Sequence, residues 1–120
     1  MSINRIDSGA RMSQGVVYNG TVYLAGIVGN PGESVRRQTE TILRTIEDLL
    51  ERCGSGKDQI LSAVIWLADM ADFQEMNSVW DGWVSDVVPP ARATGGVALA
   101  HPDYKVEIII TAAVETPAAS

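Results

Sequence analysis

The segment from Gln59 to Ala68 limits the fold more than any other. It is almost wholly apolar, with Ile60, Leu61, Val64, Ile65, Trp66 and Leu67. A run this short and this apolar reads as a strand buried on both faces. Helices of the same chain can cover one face. In a chain of 120 residues the other face needs a different cover, and a neighbouring subunit is expected to supply it.

The rest of the chain supplies the first cover. Glu33 to Cys53 reads as a long amphipathic helix, with Val35, Ile42, Leu43, Ile46, Leu49, Leu50 and Cys53 on one stripe. Arg36, Arg37, Glu40, Arg44, Glu47, Asp48, Glu51 and Arg52 lie on its other face. Gly54 is a natural C-terminal stop. A second helix is expected from about Ala71 to Val87, capped by Asp69 or Asp72, with the stripe Phe73, Met76, Trp80, Trp83, Val84 and Val87. Pro89-Pro90 ends it and leads in extended form to a strand at Ala91 to Ala100.

Ahead of the first helix, Ile3 to Ile6 reads as a short strand. Gly15 to Tyr18 and Thr21 to Val28 read as a hairpin around Asn19-Gly20, since both turn residues tolerate positive φ. After a turn at His101 to Tyr104, Lys105 to Val114 forms the last strand, and Thr116 to Ser120 is expected to be a loose tail. The fold class is therefore α+β: a single mixed sheet with two helices on one face, in one domain spanning 1–120.

In the last strand Val106, Ile108, Ile110, Ala112 and Val114 alternate with Lys105, Glu107, Ile109, Thr111 and Ala113. The first set should face the helices and Glu107 the opposite side. A tight hairpin with the preceding strand would set Ala98 opposite Glu107. Arg92 would then share the Glu107 face at roughly 20 Å along the strand. Using both in one site would require a neighbouring subunit or a bulge at Gly95-Gly96, where glycine marks a close approach. Two opposite charges in apolar strands are the start of a carboxylate site, or of an interface ion pair.

Several function classes are disfavoured. The net charge of -6, with no run of Lys and Arg, argues against non-specific nucleic-acid binding. The one cysteine precludes an intrachain disulfide and a cysteine-based zinc site; Cys53 reads as a small buried filler. The one histidine, His101, reads as a solvated turn residue, and no GxSxG elbow supports a serine triad. Met1 to Ala10 has no apolar core of a signal peptide, and no apolar run approaches ~18 residues, so a cytoplasmic protein without a membrane span is expected.

Ser13-Gln14-Gly15-Val16, Val22-Tyr23-Leu24-Ala25-Gly26, Gln38-Thr39, Asp69 to Phe73, Met76-Asn77, Pro90-Ala91-Arg92 and Val106-Glu107-Ile108 together resemble the RidA/YjgF family of reactive-intermediate deaminases. The opening Arg5-Ile6-Asp7 through Ala10 to Ser13 is most similar to its YoaB-like branch. The resemblance implies a chorismate-mutase-like fold and a homotrimer with a central barrel and clefts between subunits. It also implies hydrolysis of 2-imino acids to 2-keto acids and ammonia, without metal or organic cofactor. Arg92 matches the family's carboxylate-gripping arginine, for which a two-pronged guanidinium is suited. Glu107 matches the acidic residue that assists the attacking water. Asn77 matches a polar pocket residue, and Gly26 and Thr94 match positions whose backbones line the cleft.

The chain departs from the family at Met12, where a tyrosine is usual, and at Ala25, where a serine is usual. Ile27 replaces a glutamine and Thr94 a cysteine. A more apolar pocket of this kind would suit a bulkier imine. The alternative reading is a non-catalytic homotrimer that binds or senses small carboxylates. A general protein-interaction role would show as large exposed apolar patches.

Overall fold

The computed structural model describes residues 2–114. The expected loose tail at Thr116 to Ser120 lies outside the described residues. Strands β1 (Asn4–Ile6), β2 (Gly15–Tyr18), β3 (Thr21–Leu24) and β4 (Ile27–Val28) precede helix α1 (Val35–Arg52). Strand β5 (Ile60–Leu67), helix α2 (Phe73–Trp83) and strands β6 (Ala91–Gly96) and β7 (Val106–Ala113) complete the order. These strands form one mixed sheet, in the order β1-β2-β3-β7-β5-β6, with β4 also paired to β7.

Local chemistry accounts for most of these boundaries. Asn19 and Gly20 adopt φ 51° and 78°, which gives the β2–β3 hairpin the twist its strands need. Ser34 caps α1 by accepting a hydrogen bond from the Arg37 N–H at 3.1 Å, and Gly54 takes φ 78° just past its end. The expected stripe of α1 is buried in full: Val35, Ile42, Leu43, Ile46, Leu49, Leu50 and Cys53. They pack on Val22, Leu24, Ala63, Ile65, Leu67, Val106, Ile108, Ile110 and Ala112, so both helices cover the same face of the sheet.

Two expectations about the second half need correction. Helix α2 stops at Trp83 rather than Val87, because Val84 leaves helical geometry and the Lys57 ammonium donates to the Trp83 carbonyl at 2.8 Å. Asp69 caps the 3-10 turn Met70–Asp72 by accepting from the Ala71 N–H at 2.9 Å, and that turn leads directly into α2.

The larger correction concerns β6. It does not form a hairpin with β7. It runs parallel to β5, with Arg92 beside Ala63 and Thr94 beside Ile65, and β5 separates it from β7. Parallel neighbours require a crossover connection, and α2 is that crossover. β6 offers no large apolar side chain and takes the sheet edge. β7, apolar at every second position, takes the centre.

The second face of β5 is uncovered by any described element. Leu61 is 53% exposed and Tyr23 on β3 is 51% exposed, while Val64, Trp66, Ile109 and Thr111 are half-buried. The chain itself therefore buries one face of its central strands.

Candidate functional site

The candidate residues fall into two groups, one on each face of the sheet. Residues paired across neighbouring strands point to the same side. Ala63 and Ile65 are buried under the helices, so their partners Arg92 and Thr94 face the helical layer. Glu107 pairs with Trp66 and Val28, on the uncovered face. The expectation that Arg92 shares the face of Glu107 is therefore wrong. The alternation expected within β7 holds; the error lies in the strand that β6 pairs with.

The first group centres on Arg92. Its Nη1 donates to Asn77 Oδ1 at 2.8 Å, across to α2. Its guanidinium carbon lies 5.4 Å from the Trp80 ring centroid and 6.0 Å from that of Phe73, close enough for cation–π attraction. Helical spacing from Phe73 through Met76-Asn77 to Trp80 thus builds the Arg92 seat, with Met76 buried as the anchor beneath it. One fork position is used by Asn77 and the side chain is half-buried, so other donors remain for a planar anion. Thr94, two residues along the same face, has a buried Oγ1 with no hydrogen-bond partner.

The second group centres on Glu107. Between the pairs Tyr23–Thr111 and Ile27–Ile108, three residues (Leu24, Ala25, Gly26) lie opposite two (Ile109, Ile110). This is a β-bulge, and it interrupts the single strand expected from Thr21 to Val28. The Glu107 carboxyl lies against Gly26 in this bulge. Burial pushes its pKa above the ordinary carboxylate value, with no charged neighbour contributing. Ala25 is tied to the loop before β2, since its N–H donates to the Gln14 carbonyl at 2.9 Å. That loop carries Met12, which is 48% exposed. Asp7, at φ 51°, anchors the start of the loop through two hydrogen bonds from Arg52 at 2.9 and 2.8 Å.

Sequence reasoning gives Gln38 and Thr39 no structural role, yet both are fully buried. Gln38 Nε2 donates to the Glu33 carbonyl at 2.9 Å and the Asp103 carbonyl at 3.1 Å, and its Oε1 accepts from the Lys105 N–H at 2.9 Å. It pins the turn that leads into β7, two residues before Glu107. A polar residue inside the apolar stripe of α1 is the available signal. His101 is exposed in that turn, as expected. The concavity between α1 and α2, lined by Leu43, Val79, Trp83 and flanking charges, contains none of the candidate residues. Among the described residues no group of three or more His, Cys, Asp or Glu could hold a metal ion, and no helix is long and apolar enough to cross a membrane.

A mixed sheet backed by two helices, with a seated guanidinium on one face and a niche-held carboxyl on the other, defines a small α+β protein. Residues 2–114 match the family model described as Endoribonuclease L-PSP. The chain is 46% identical over 114 residues to the RutC family protein YoaB of Escherichia coli strain K12, covering 95% of this chain and 100% of that one. It superposes on a solved YjgF-family structure, NMB1025 from Neisseria meningitidis, with a TM-score of 0.93, 43% identity and 98% of each chain covered. It is also 32% identical to the chloroplastic Reactive Intermediate Deaminase A of Arabidopsis thaliana, over 80% of this chain and 54% of that one. The chain belongs to the RidA/YjgF (L-PSP, RutC) family.

Proposed function

We propose that the protein is an imine deaminase. It hydrolyses 2-imino acids and their enamine tautomers to 2-keto acids and ammonia, in clefts between the subunits of a homotrimer. The observation that carries this reading is the seated Arg92. Its guanidinium is held by Asn77 at 2.8 Å and flanked by Trp80 and Phe73, with donors left for a substrate carboxylate. The relative named as a reactive intermediate deaminase supports the reaction class.

Arg92 grips the carboxylate with two parallel N–H donors. Glu107, with its raised pKa, accepts a proton from water as that water adds to the electrophilic iminium carbon. Glu107 returns that proton to the carbinolamine nitrogen, the C–N bond breaks to release ammonia, and the hydroxyl gives up its proton as the keto carbonyl forms. Arg92 and Glu107 lie on opposite faces of one protomer, so the site pairs Arg92 of one copy with Glu107 of the next. The uncovered apolar face supports such packing, because assembly would bury Leu61, Tyr23, Val64 and Trp66.

The test uses imino acids generated in place by an amino-acid oxidase, with semicarbazide as competing trap. Wild type should release keto acid and ammonia, and Arg92→Ala should not while remaining assembled. Arg92→Ala and Glu107→Gln, each inactive alone, should regain about a quarter of the sites when unfolded and refolded together, as random mixing of a shared interface demands. No recovery in mixed assemblies would sink the shared site; activity in Arg92→Ala alone would sink the mechanism. The second reading, a non-catalytic carboxylate-binding trimer, is favoured by the missing hydroxyls at Met12 and Ala25. It predicts keto-acid binding without turnover.

A further inference from the structure

Gly26 is a glycine for a reason its own backbone does not supply. Its φ is outside the positive region that Gly20, Gly32 and Gly54 occupy. Gly29, nearby, shows what a packing requirement looks like: a Cβ there would lie 2.8 and 2.9 Å from the Gln38 backbone, which cannot yield. At Gly26 the three nearest atoms to a Cβ all belong to the Glu107 side chain. The Cβ would collide with Oε2 itself and lie 2.9 Å from Cδ and 3.3 Å from Cγ. The space a side chain would fill is occupied by the carboxyl of Glu107.

We propose that Gly26 is a positioning residue: its missing side chain is the niche that fixes where the Glu107 carboxyl points. The bulge at Leu24 to Gly26 brings this backbone over the carboxyl, and the paired neighbours Trp66 and Val28 flank it from β5 and β4. Neither neighbour is titratable, so the niche sets direction and hydration rather than supplying a countercharge. The consequence for turnover rests on the reading of Glu107 as the group that assists water.

The geometry separates fold from function. Alanine fits the backbone at this position, and its collision partner is the far end of a flexible side chain. Gly26→Ala is therefore relieved by swinging Glu107 out of the niche, not by unfolding. With Arg92 untouched on the other face, KM should change little, and kcat should fall about a hundredfold, the cost of misplacing a reacting group by about 1 Å. Glu107→Asp, shorter by one methylene, withdraws from the niche. Adding Gly26→Ala to that variant should then cost much less than in the wild type, because the collision with the far carboxyl oxygen is gone, so the double-mutant cycle is non-additive. Gly82→Ala, the same change on α2 with nothing within 4 Å of its Cβ, should leave turnover unchanged.

A readout independent of activity is the titration of the Glu107 carboxyl carbon by NMR, assigned with Glu107→Gln. Its midpoint should be lower in Gly26→Ala than in the wild type, because the carboxyl that leaves the niche loses the burial that raises it, whatever the Arg92 of a neighbouring copy adds equally to both. An unchanged midpoint overturns the proposal, as does a kcat loss on Gly26→Ala of equal size in the wild-type and Glu107→Asp backgrounds. If Gly26→Ala does not fold while Gly26→Ala/Glu107→Asp does, the clash with Glu107 is confirmed directly; if neither folds, the glycine serves the backbone and the proposal fails. If the wild type hydrolyses no imino acid, the deaminase reading falls alone, and the titration still decides the niche.

Discussion

Replacing Asn77 with aspartate tests the electrostatics of the Arg92 seat with almost no change in shape. In the wild type, Asn77 Oδ1 accepts from Arg92 Nη1 at 2.8 Å and leaves the guanidinium its full positive charge. Aspartate keeps that acceptor and adds a negative charge. A substrate carboxylate on the free side of the guanidinium would then sit roughly 6 Å from the new anion. At an effective dielectric of about 20 the repulsion is about 3 kcal/mol, or about a hundredfold in Kd. Mobile ions, with a Debye length of about 8 Å at physiological salt, reduce this toward tenfold. The assay is calorimetric titration with 2-oxobutanoate, the keto-acid product of the proposed reaction, at low and high ionic strength. Asn77→Asp should bind weakly, with the deficit shrinking as salt rises, and should be at least as stable as wild type. Asn77→Ala removes the acceptor without adding charge and should cost only about tenfold, the worth of one hydrogen bond to a charged group. Equal affinities for wild type and Asn77→Asp would show that Arg92 does not hold the ligand's carboxylate.

If burial alone governs the Glu107 carboxyl, Glu107→Gln should raise thermal stability at neutral pH; a loss instead would show that the Arg92 of a neighbouring copy compensates the carboxylate. Burial lifts the native pKa of Glu107 above its unfolded value, so the native state binds more protons between the two, and stability falls as pH rises through that window. The advantage of Gln should therefore vanish below the ordinary carboxylate pKa, which melting curves from about pH 4 to 8 would resolve. Gln38→Leu removes three hydrogen bonds from a fully buried side chain and leaves the Lys105 N–H and two carbonyls to find other partners; urea unfolding should show a loss of about 1–3 kcal/mol with an unchanged slope. Gly82→Ala, exposed on α2, should gain about 0.5–1 kcal/mol in the same assay.

Periodicity makes one half of the architecture legible and leaves the other half open. The stripe of α1 and the alternation in β7 each describe a single element, and both are readable because burial imposes a fixed period within an element. The Asn19-Gly20 turn is equally local. Pairing is not local. Whether Arg92 shares a face with Glu107 depends on which strand β6 joins, and a hairpin with β7 and a crossover to β5 place it on opposite sides. The strand–helix–strand order from Ile60 to Gly96 is the usable signal, because two adjacent strands linked by a helix run parallel. Gly26 shows the same limit: a glycine in a strand reads as a close approach, but only the bulge register reveals that Glu107 is what approaches. The error over faces also changes what the candidate site needs. A pair merely far apart on one face could be joined by bending the edge strand at Gly95-Gly96. A pair on opposite faces cannot be joined by any local bend, since the core of Ala63, Ile65 and Ile108 lies on one side only. A site using both charges has to be completed by a second copy, and the half-buried apolar side chains beside Glu107, Trp66 and Val28, are where such a copy would rest.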